Sequence, residues 1–502
     1  MHNWKLNLKN LNYINVNNKK KKLDFEIKDN NILIKNTEKI IEFPDETKST
    51  NQDIEVRYLS HASVLITYKG CKILTDPWFF GPAFSNGWWL KEPPTFDFKK
   101  IIDEVDIVYI SHNHPDHLHI ETLGYIKKNV QIITPKFKSG STSKLLKRIG
   151  FKNIKLCEFN KIYSVNENFD FSILKSGDFK DDSGIFFNIN KKKILLNVDS
   201  NNLNGGIVPK NIDLLLSSYA GGASGFPLCF ENYSDDEKKR ILLRNKNAQF
   251  TMVTNLINKT NCKIFMPYAG FFSESATRDK HIKKNNQKNK IDRLILFYKN
   301  KVHKPKIVDH QEFDTIRLSS QKKEIFLKQN IQQPLYKFDK KYVDKYIKKM
   351  KANYKVSTKN EKYTFEYFKN SNFKSNIYLF IILTDDNFNQ NKYGFFVNFC
   401  KKNIIVRKSS SKNLFEKFKK KNNKSDINYL MIKVREDSFF NTIINKLPWE
   451  DLLIGFQCKI NRKPNIYNND FWYHFTNIYI DNVNFRFQDP CNQCDRLLQS
   501  IY

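Results

Sequence analysis

The stretch Ser111-His112-Asn113-His114-Pro115-Asp116-His117-Leu118-His119 constrains this chain more than any other. It has the pattern His-x-His-x-Asp-His and directly follows the apolar run Val105 to Ile110. The length and β-rich content of that run predict a buried strand. Loops leaving a strand end are where α/β folds usually place chemistry. The potential ligands here are all imidazole or carboxylate, a set that suits Zn, Fe or Mn, whereas thiolates would signal a structural zinc. His112 and His114, two apart in an extended segment, project to one side, which leaves Asp116 and His117 free for a second metal. The alternative is a polar surface loop that merely collects histidines. Only 10 histidines occur in 502 residues, however, and the loop alone holds four of them.

Such a loop needs ligands from elsewhere in the fold. Asp199 closes the apolar strand Lys193 to Val198 and is the first candidate, because a carboxylate at a strand end can bridge two metals. Asp178, in Lys175-Ser176-Gly177-Asp178, is the second; no histidine lies between His119 and His281. His61, in Ser60-His61-Ala62-Ser63-Val64, precedes a strand and is expected to line the cleft, while His119 is expected to support the ligands from outside or to be structural. The expected metal set is therefore His112, His114, Asp116, His117, Asp199 and Asp178, with Asp116, Asp199 and His61 as the catalytic groups. A glycine-rich turn, Ala220-Gly221-Gly222-Ala223-Ser224-Gly225-Phe226-Pro227, follows a predicted strand over 213–216. Small residues let backbone approach a ligand, and successive N–H groups can cradle an anion, so Gly221, Gly222, Ser224 and Gly225 are expected to bind substrate.

A net charge of +33 raises nucleic acid as a partner. Lys and Asn are spread along the whole chain rather than gathered on one stripe, so an anionic small molecule is the favoured partner and nucleic acid is not expected. The eight cysteines have no disulfide-framework spacing, which points to a reducing compartment. No signal-peptide-like stretch opens the sequence, and the apolar run Ile377 to Leu383 is far too short to span a bilayer. A cytoplasmic protein without a membrane partner is expected.

Strands are predicted over 55–59, 63–68 and 72–75, the second and third pairing as a hairpin at Lys69-Gly70. Residues 78–94 read as an irregular loop crossing the surface. Helices are predicted over 121–128 and 141–149, the latter ending at Gly150, with a strand over 130–134 between them. Further strands are expected over 169–174, 185–189 and 193–198. Strands first, then strand–helix units, then strands again imply an α/β (α+β) fold, with packed sheets and helices outside in an αββα sandwich. This organisation divides the chain into an extension over 1–54, in which Phe25-Glu26-Ile27 and Ile32-Leu33-Ile34 read either as an added hairpin or as part of a poorly ordered extension. A metal domain follows over 55–320, and then a C-terminal mixed α/β region over 335–502. In that last region a helix is predicted over 340–351 and strands near 363–369 and 376–383.

The histidine loop with Asp199 resembles the metallo-β-lactamase superfamily. Asp76-Pro77-Trp78, Gly81-Pro82-Ala83-Phe84, Gly87-Trp88-Trp89-Leu90 and Glu92-Pro93-Pro94 are similar to the CMP-N-acetylneuraminate hydroxylase family. So are the glycine-rich turn, Pro267-Tyr268-Ala269-Gly270-Phe271 and Leu453-Ile454-Gly455-Phe456-Gln457. The resemblance implies one or two metal ions, Fe or Zn, and an iron-dependent monooxygenase that hydroxylates the N-acetyl group of a CMP-activated sialic acid. It also implies substrate contacts at Trp88 and Trp89. Family members take electrons through an N-terminal Rieske iron–sulfur centre, but the first 54 residues here contain no cysteine and a single histidine, His2. Cys491 and Cys494 lack partnering histidines. No Rieske cluster is therefore expected in this chain, and electrons would come from a separate Rieske or ferredoxin protein. A family histidine near Asp178 is absent, and another is replaced by Ala276, with His281 five residues on. Two other readings stand beside the oxygenase. One is a metal-dependent hydrolase of an ester, amide or phosphodiester using a metal-bound hydroxide; the other is a non-catalytic relative that binds a sugar nucleotide.

Overall fold

The protein is described by a computed structural model covering residues 53–178, 180–319, 323–328, 338–389, 391–401, 403–410, 415 and 427–478. Backbone is also described for short strands between residues 13 and 39, where Phe25–Lys28 and Asn31–Ile34 pair antiparallel. Cys491 and Cys494 lie outside the described residues.

The expected strand meander forms. Ile54–Ser60, Ser63–Tyr68 and Cys71–Thr75 pair antiparallel in sequence, and Ile107–Tyr109 then joins Cys71–Thr75 in parallel. Gln131–Pro135 and Ile154–Cys157 extend the parallel side, while Thr315–Leu318 and Ile325–Leu327 close the other edge of this eight-stranded sheet. A second eight-stranded sheet contains Phe169–Lys175, Ser183–Ile189, Lys192–Leu196, Leu214–Ser218 and Ile264–Tyr268. Its apolar face, including Phe171, Ile185, Ile194 and Leu214, packs on Val64, Ile66, Ile73 and Ile107 of the first sheet. Phe98–Glu104 and Ser141–Arg148 cover the outer face of the first sheet through Ile101, Ile102, Leu145 and Leu146. Asp235–Thr260 and Ile291–Tyr298 cover the second through Val253, Ile257, Leu294 and Tyr298. The long helix starts where its sequence dictates: Ser234 and Glu237 form a reciprocal capping box, and Asp235, Asp236 and Glu237 complement the helix dipole. The result is an αββα sandwich.

A second, C-terminal body packs against the open end of the sandwich. Its five-stranded sheet has the order Ile405–Ser410, Asn391–Asn398, Tyr378–Thr384, Tyr429–Arg435, Cys458–Lys463. One continuous core joins Leu379, Ile381, Ile432, Trp449 and Phe471 of this region to Trp78, Phe84, Trp88 and Phe226 of the sandwich.

Two expectations are corrected. Residues 78–94 do not cross the surface: Trp78, Phe79, Phe80, Phe84, Trp88 and Trp89 are all buried. Pro82–Ala83, Trp88–Leu90 and Phe272–Ser273 form a small sheet there. The segment is irregular because it is pressed between the sandwich and the C-terminal body, and so many large rings could not be left in water. Residues 363–369 belong to the helix Thr358–Lys369 rather than a strand. Tyr363, Phe365 and Tyr367 alternate as a strand would, but Thr364, Tyr367 and Phe368 form the buried helical face, and the Ser357 side chain caps the start. The predicted helix at 121–128 is confined to Ile120–Leu123. Strands at 130–134 and 376–383 and helices at 141–149 and 340–351 form within a few residues of expectation.

Glycines set how closely the bodies meet. A Cβ on Gly87 would lie 2.0 Å from the Gly455 carbonyl oxygen, and one on Gly455 would lie 2.1 Å from that of Phe84. One on Gly225 would sit 2.2 Å from the Leu453 carbonyl oxygen. Gly455→Ala is therefore expected to lower stability by about 1–3 kcal/mol through forced separation of the seam. The check is a lower urea midpoint at unchanged slope.

Candidate metal centre

The histidine loop leaves the strand Ile107–Tyr109 at the end of the sandwich that the C-terminal body covers. Asp76, at the end of the neighbouring strand Cys71–Thr75, anchors it. Its carboxylate accepts from the Ser111 amide at 2.8 Å and from the Ser111 hydroxyl at 2.7 Å. It also accepts from His117 Nδ1 at 3.0 Å. With Nδ1 donating to Asp76, Nε2 is the nitrogen turned toward Asp199 Oδ2 at 3.3 Å and Asp116 Oδ2 at 3.4 Å, where a cation would take the place of its proton. This carboxylate–imidazole pairing fixes the tautomer and aim of a ligating histidine.

Two groups of candidate ligands converge, sharing His117. In one, the ligand atoms of His61, Asp116 and His117 all lie within 4.8 Å of one another, with His61 Nε2 2.9 Å from Asp116 Oδ2. In the other, His112, His117 and Asp199 meet to the same limit. His114 joins through its Nδ1, 2.9 Å from His112 Nε2. The expected residues His61, His112, His114, Asp116, His117 and Asp199 are thus brought together. Asp178 is not: it accepts from Asn201 at 2.9 Å and from the Lys180 amide at 3.1 Å, a local turn. The acid beside His112 is Asp182, 3.3 Å from its Nδ1. Glu450, from the C-terminal body, lies 3.6 Å from His114 Nε2. His119 is structural as expected, accepting from the Thr122 amide to cap a short helix and donating to the Pro82 carbonyl. His281 is exposed and hydrogen-bonded with Asn285.

The donor set fits a divalent cation. Asp116 Oδ1, Asp199 Oδ1 and His61 Nδ1 are buried without a hydrogen-bond partner. Burial, with Asp199 and Asp178 nearby, pushes the Asp182 carboxyl up to about 8. Burial opposes charge on His117, yet Asp116 and Asp199 hold its pKa well above the ordinary value. Burial, then His117 and His114, press His112 well below it. The cluster concentrates carboxylate charge in a dry site, and a cation offsets that charge directly. Asp76→Asn, which keeps the shape but weakens the hold on His117 Nδ1, is expected to lower metal affinity by about 10–100-fold. Competition with a chelator measures it.

The expected substrate residues divide. Trp88 lies face to face with Phe272 at 3.5 Å, and its indole N–H donates to the Ile454 carbonyl. Trp89 packs with Ala276 and Val343, and Gly225 abuts Leu453. The space beside these three is filled by protein, so they build the seam instead of a cleft. Gly221 and Gly222, both with positive φ, and exposed Ser224 remain nearer the surface.

Residues 55–175 match the family described as Beta-lactamase superfamily domain. Over those residues the chain is similar to that superfamily. Beyond that domain, the chain is similar to proteins named cytidine monophosphate-N-acetylneuraminic acid hydroxylase. That of Xenopus laevis is 28% identical over 94% of this chain and 81% of its own length. That of Mus musculus is 28% identical over 94% and 83%. Among solved structures, CmlA, a diiron β-hydroxylase from Streptomyces venezuelae, is 16% identical over 54% of this chain and 55% of that one, with a TM-score of 0.36. An isothiocyanate hydrolase from Delia radicum gut bacteria is 14% identical over 53% and 98%, with a TM-score of 0.35. The matched residues include the whole histidine loop and its Asp76 anchor. Asp182, Asp199 and Glu450 come from outside them. Among the described residues, no helix is long and apolar enough to cross a membrane.

Proposed function

We propose that this chain is an iron-dependent oxygenase that hydroxylates the N-acyl group of a CMP-activated, sialic-acid-like sugar. The observation that carries the reading is likeness to the hydroxylases over 94% of the chain, seam and C-terminal body included. The donor set, four imidazoles and two carboxylates, is in keeping with it, because both ligand types suit iron. One oxygen atom of dioxygen enters a C–H bond of the acyl methyl group; the other leaves as water, with two electrons and two protons supplied from outside. A separate Rieske or ferredoxin protein supplies the electrons.

His112, His114, His117, His61, Asp116 and Asp199 would hold one or two metal ions, with Asp182 beside His112 taking the place expected of Asp178. Bound iron supplies dioxygen activation. The chain's own residues do the rest: Asp76 fixes the loop, His117 and Asp199 set the spacing, and the C-terminal body excludes water. Asp116 and Asp199 carry the carboxylate oxygens best placed to accept a proton beside the reacting group. The high positive charge of the chain favours an anionic nucleotide sugar.

Metal analysis of the purified chain, with oxygen-uptake assays, tests the reading. Iron, and dioxygen consumption that requires both a reduced ferredoxin and CMP-N-acetylneuraminate, is the expected result. Zinc with reductant-independent cleavage of esters or phosphodiesters would replace it with the hydrolase reading. No bound metal would leave only a binding role.

A further inference from the structure

Beside the metal loop lies a cavity of about 360 Å³, within the size range of small-molecule sites. His61 forms part of its wall, so the cavity borders the group His61–Asp116–His117 without containing the rest of it.

Its chemistry is uneven in a telling way. Arg57 enters from the strand Ile54–Ser60 with its guanidinium over the Phe96 ring at 5.8 Å. Arg57 Nε is buried and has no hydrogen-bond partner. Lys91 stands exposed at the rim. The acids nearby are already engaged: Glu92 accepts from Gln311 at 2.6 Å, and Asp314 lies 3.9 Å from Lys328. The neutral Gln311 amide leaves the Glu92 charge in place, so the lining carries three cations, Arg57, Lys91 and Lys328, against two carboxylates.

The remaining wall is aromatic. His310, only 7% exposed, lies against Tyr58 at 4.5 Å and Phe271 at 5.1 Å between ring centroids. Its Nδ1 has no hydrogen-bond partner, and the nearest carboxylate, Asp309, is 3.8 Å away. Burial holds its pKa below the ordinary value against the pull of Asp309 and Glu92, so the ring is neutral near pH 7. A neutral imidazole in an aromatic wall suits the flat face and polar edge of a heterocycle. Cations and rings lining one cavity match a nucleotide: the base stacks and the phosphate pairs with guanidinium.

We propose that this cavity seats the nucleoside monophosphate half of the substrate. The base lies against the Tyr58–His310–Phe271 wall and Phe96, the phosphate meets Arg57 and Lys91, and the sugar leads past His61 to the metal. This rests on the nucleotide-sugar reading above and adds to it the place of the nucleotide.

Calorimetric titration of the full chain, at measured metal content, with cytidine 5′-monophosphate and with CMP-N-acetylneuraminate tests it. Both ligands are expected to bind, and Arg57→Gln to weaken both about ten-fold or more. Lys91→Gln, on the exposed rim where folding is not at risk, is expected to weaken both by a few-fold with metal content unchanged. Nucleotide binding that neither substitution alters would overturn the cavity assignment while leaving the proposed function standing. Loss of CMP binding in Arg57→Gln with unchanged binding of the CMP-sugar would mark a separate effector site and overturn it too. So would inorganic phosphate binding as tightly as CMP, since the aromatic wall would then contribute nothing. Failure of both nucleotide ligands to bind wild-type protein would sink this proposal and the substrate reading together.

Discussion

Replacing His117 with Ala is expected to strip the protein of bound metal, lowering affinity by more than about 100-fold, beyond the usual loss for an outer partner such as Asp76. His117 belongs to both groups of converging ligands, so its removal cannot be confined to one position. Its ring is fully buried, and its two nitrogens face Asp76 on one side and Asp116 and Asp199 on the other. Alanine therefore leaves three carboxylates without the imidazole that spaces them. Metal content after equilibrium dialysis is the direct measure. His119→Asn is the matched control: it keeps a side chain able to cap the short helix, and His119 faces Thr122 and Pro82 rather than the cluster. Full metal content is expected there. If His117→Ala retained wild-type stoichiometry, the ligand assignment would be wrong.

Arg435→Met is expected to cost about 3–5 kcal/mol of stability, the usual consequence of leaving one member of a buried ion pair alone. Arg435 ends the strand Tyr429–Arg435 and is 2% exposed. It donates to Asp279 at 2.6 Å, to Gln457 at 3.0 Å and to the carbonyls of Asp386 and Arg278. Arg278, next to Asp279, in turn donates to Asp437 at 2.8 Å. The network crosses between the sandwich and the C-terminal body, so the substitution strands Asp279 inside the interface. Methionine keeps most of the volume, which assigns the loss to charge more than to a cavity. Urea denaturation measures it. Combining it with Asp279→Leu, which removes the stranded carboxylate, is expected to recover much of the loss. An unchanged midpoint in Arg435→Met alone would show that the network carries little.

The sandwich and the loop were legible because their signals are local. Strands such as Ser63–Tyr68 and Phe169–Lys175 are short, β-rich and bounded by turns, and the loop holds its candidate ligands within a few positions. Asp182 and Glu450 carried no such signal. Asp182 is one of several acids in a polar turn, and only the fold distinguishes it from Asp178, which bonds to its own neighbours. Glu450 reaches His114 from the other end of the chain, a contact that no periodicity encodes. The tryptophan-rich strings were visible as unusual, but their use was not. They resembled a ligand surface, whereas in the structure Trp88, Trp89 and Gly225 pack chain against chain. Sequence shows that large rings need burial, not what will bury them.

The seam also governs the order in which the protein can be completed. Trp88 and its acceptor Ile454 are separated by 366 residues. At roughly 5–20 residues per second, a ribosome needs on the order of 20–70 s to pass from one to the other. During that interval the sandwich strands can pair, but the aromatic edge at Trp78, Phe84 and Trp88 has no cover, and the wall contributed by Glu450 does not yet exist. A nascent chain in that state presents rings that chaperones recognise and other chains can capture. The candidate ligands His112, His117 and Asp199 are all made by then, so a metal ion has open access to them until the C-terminal body closes over the cluster.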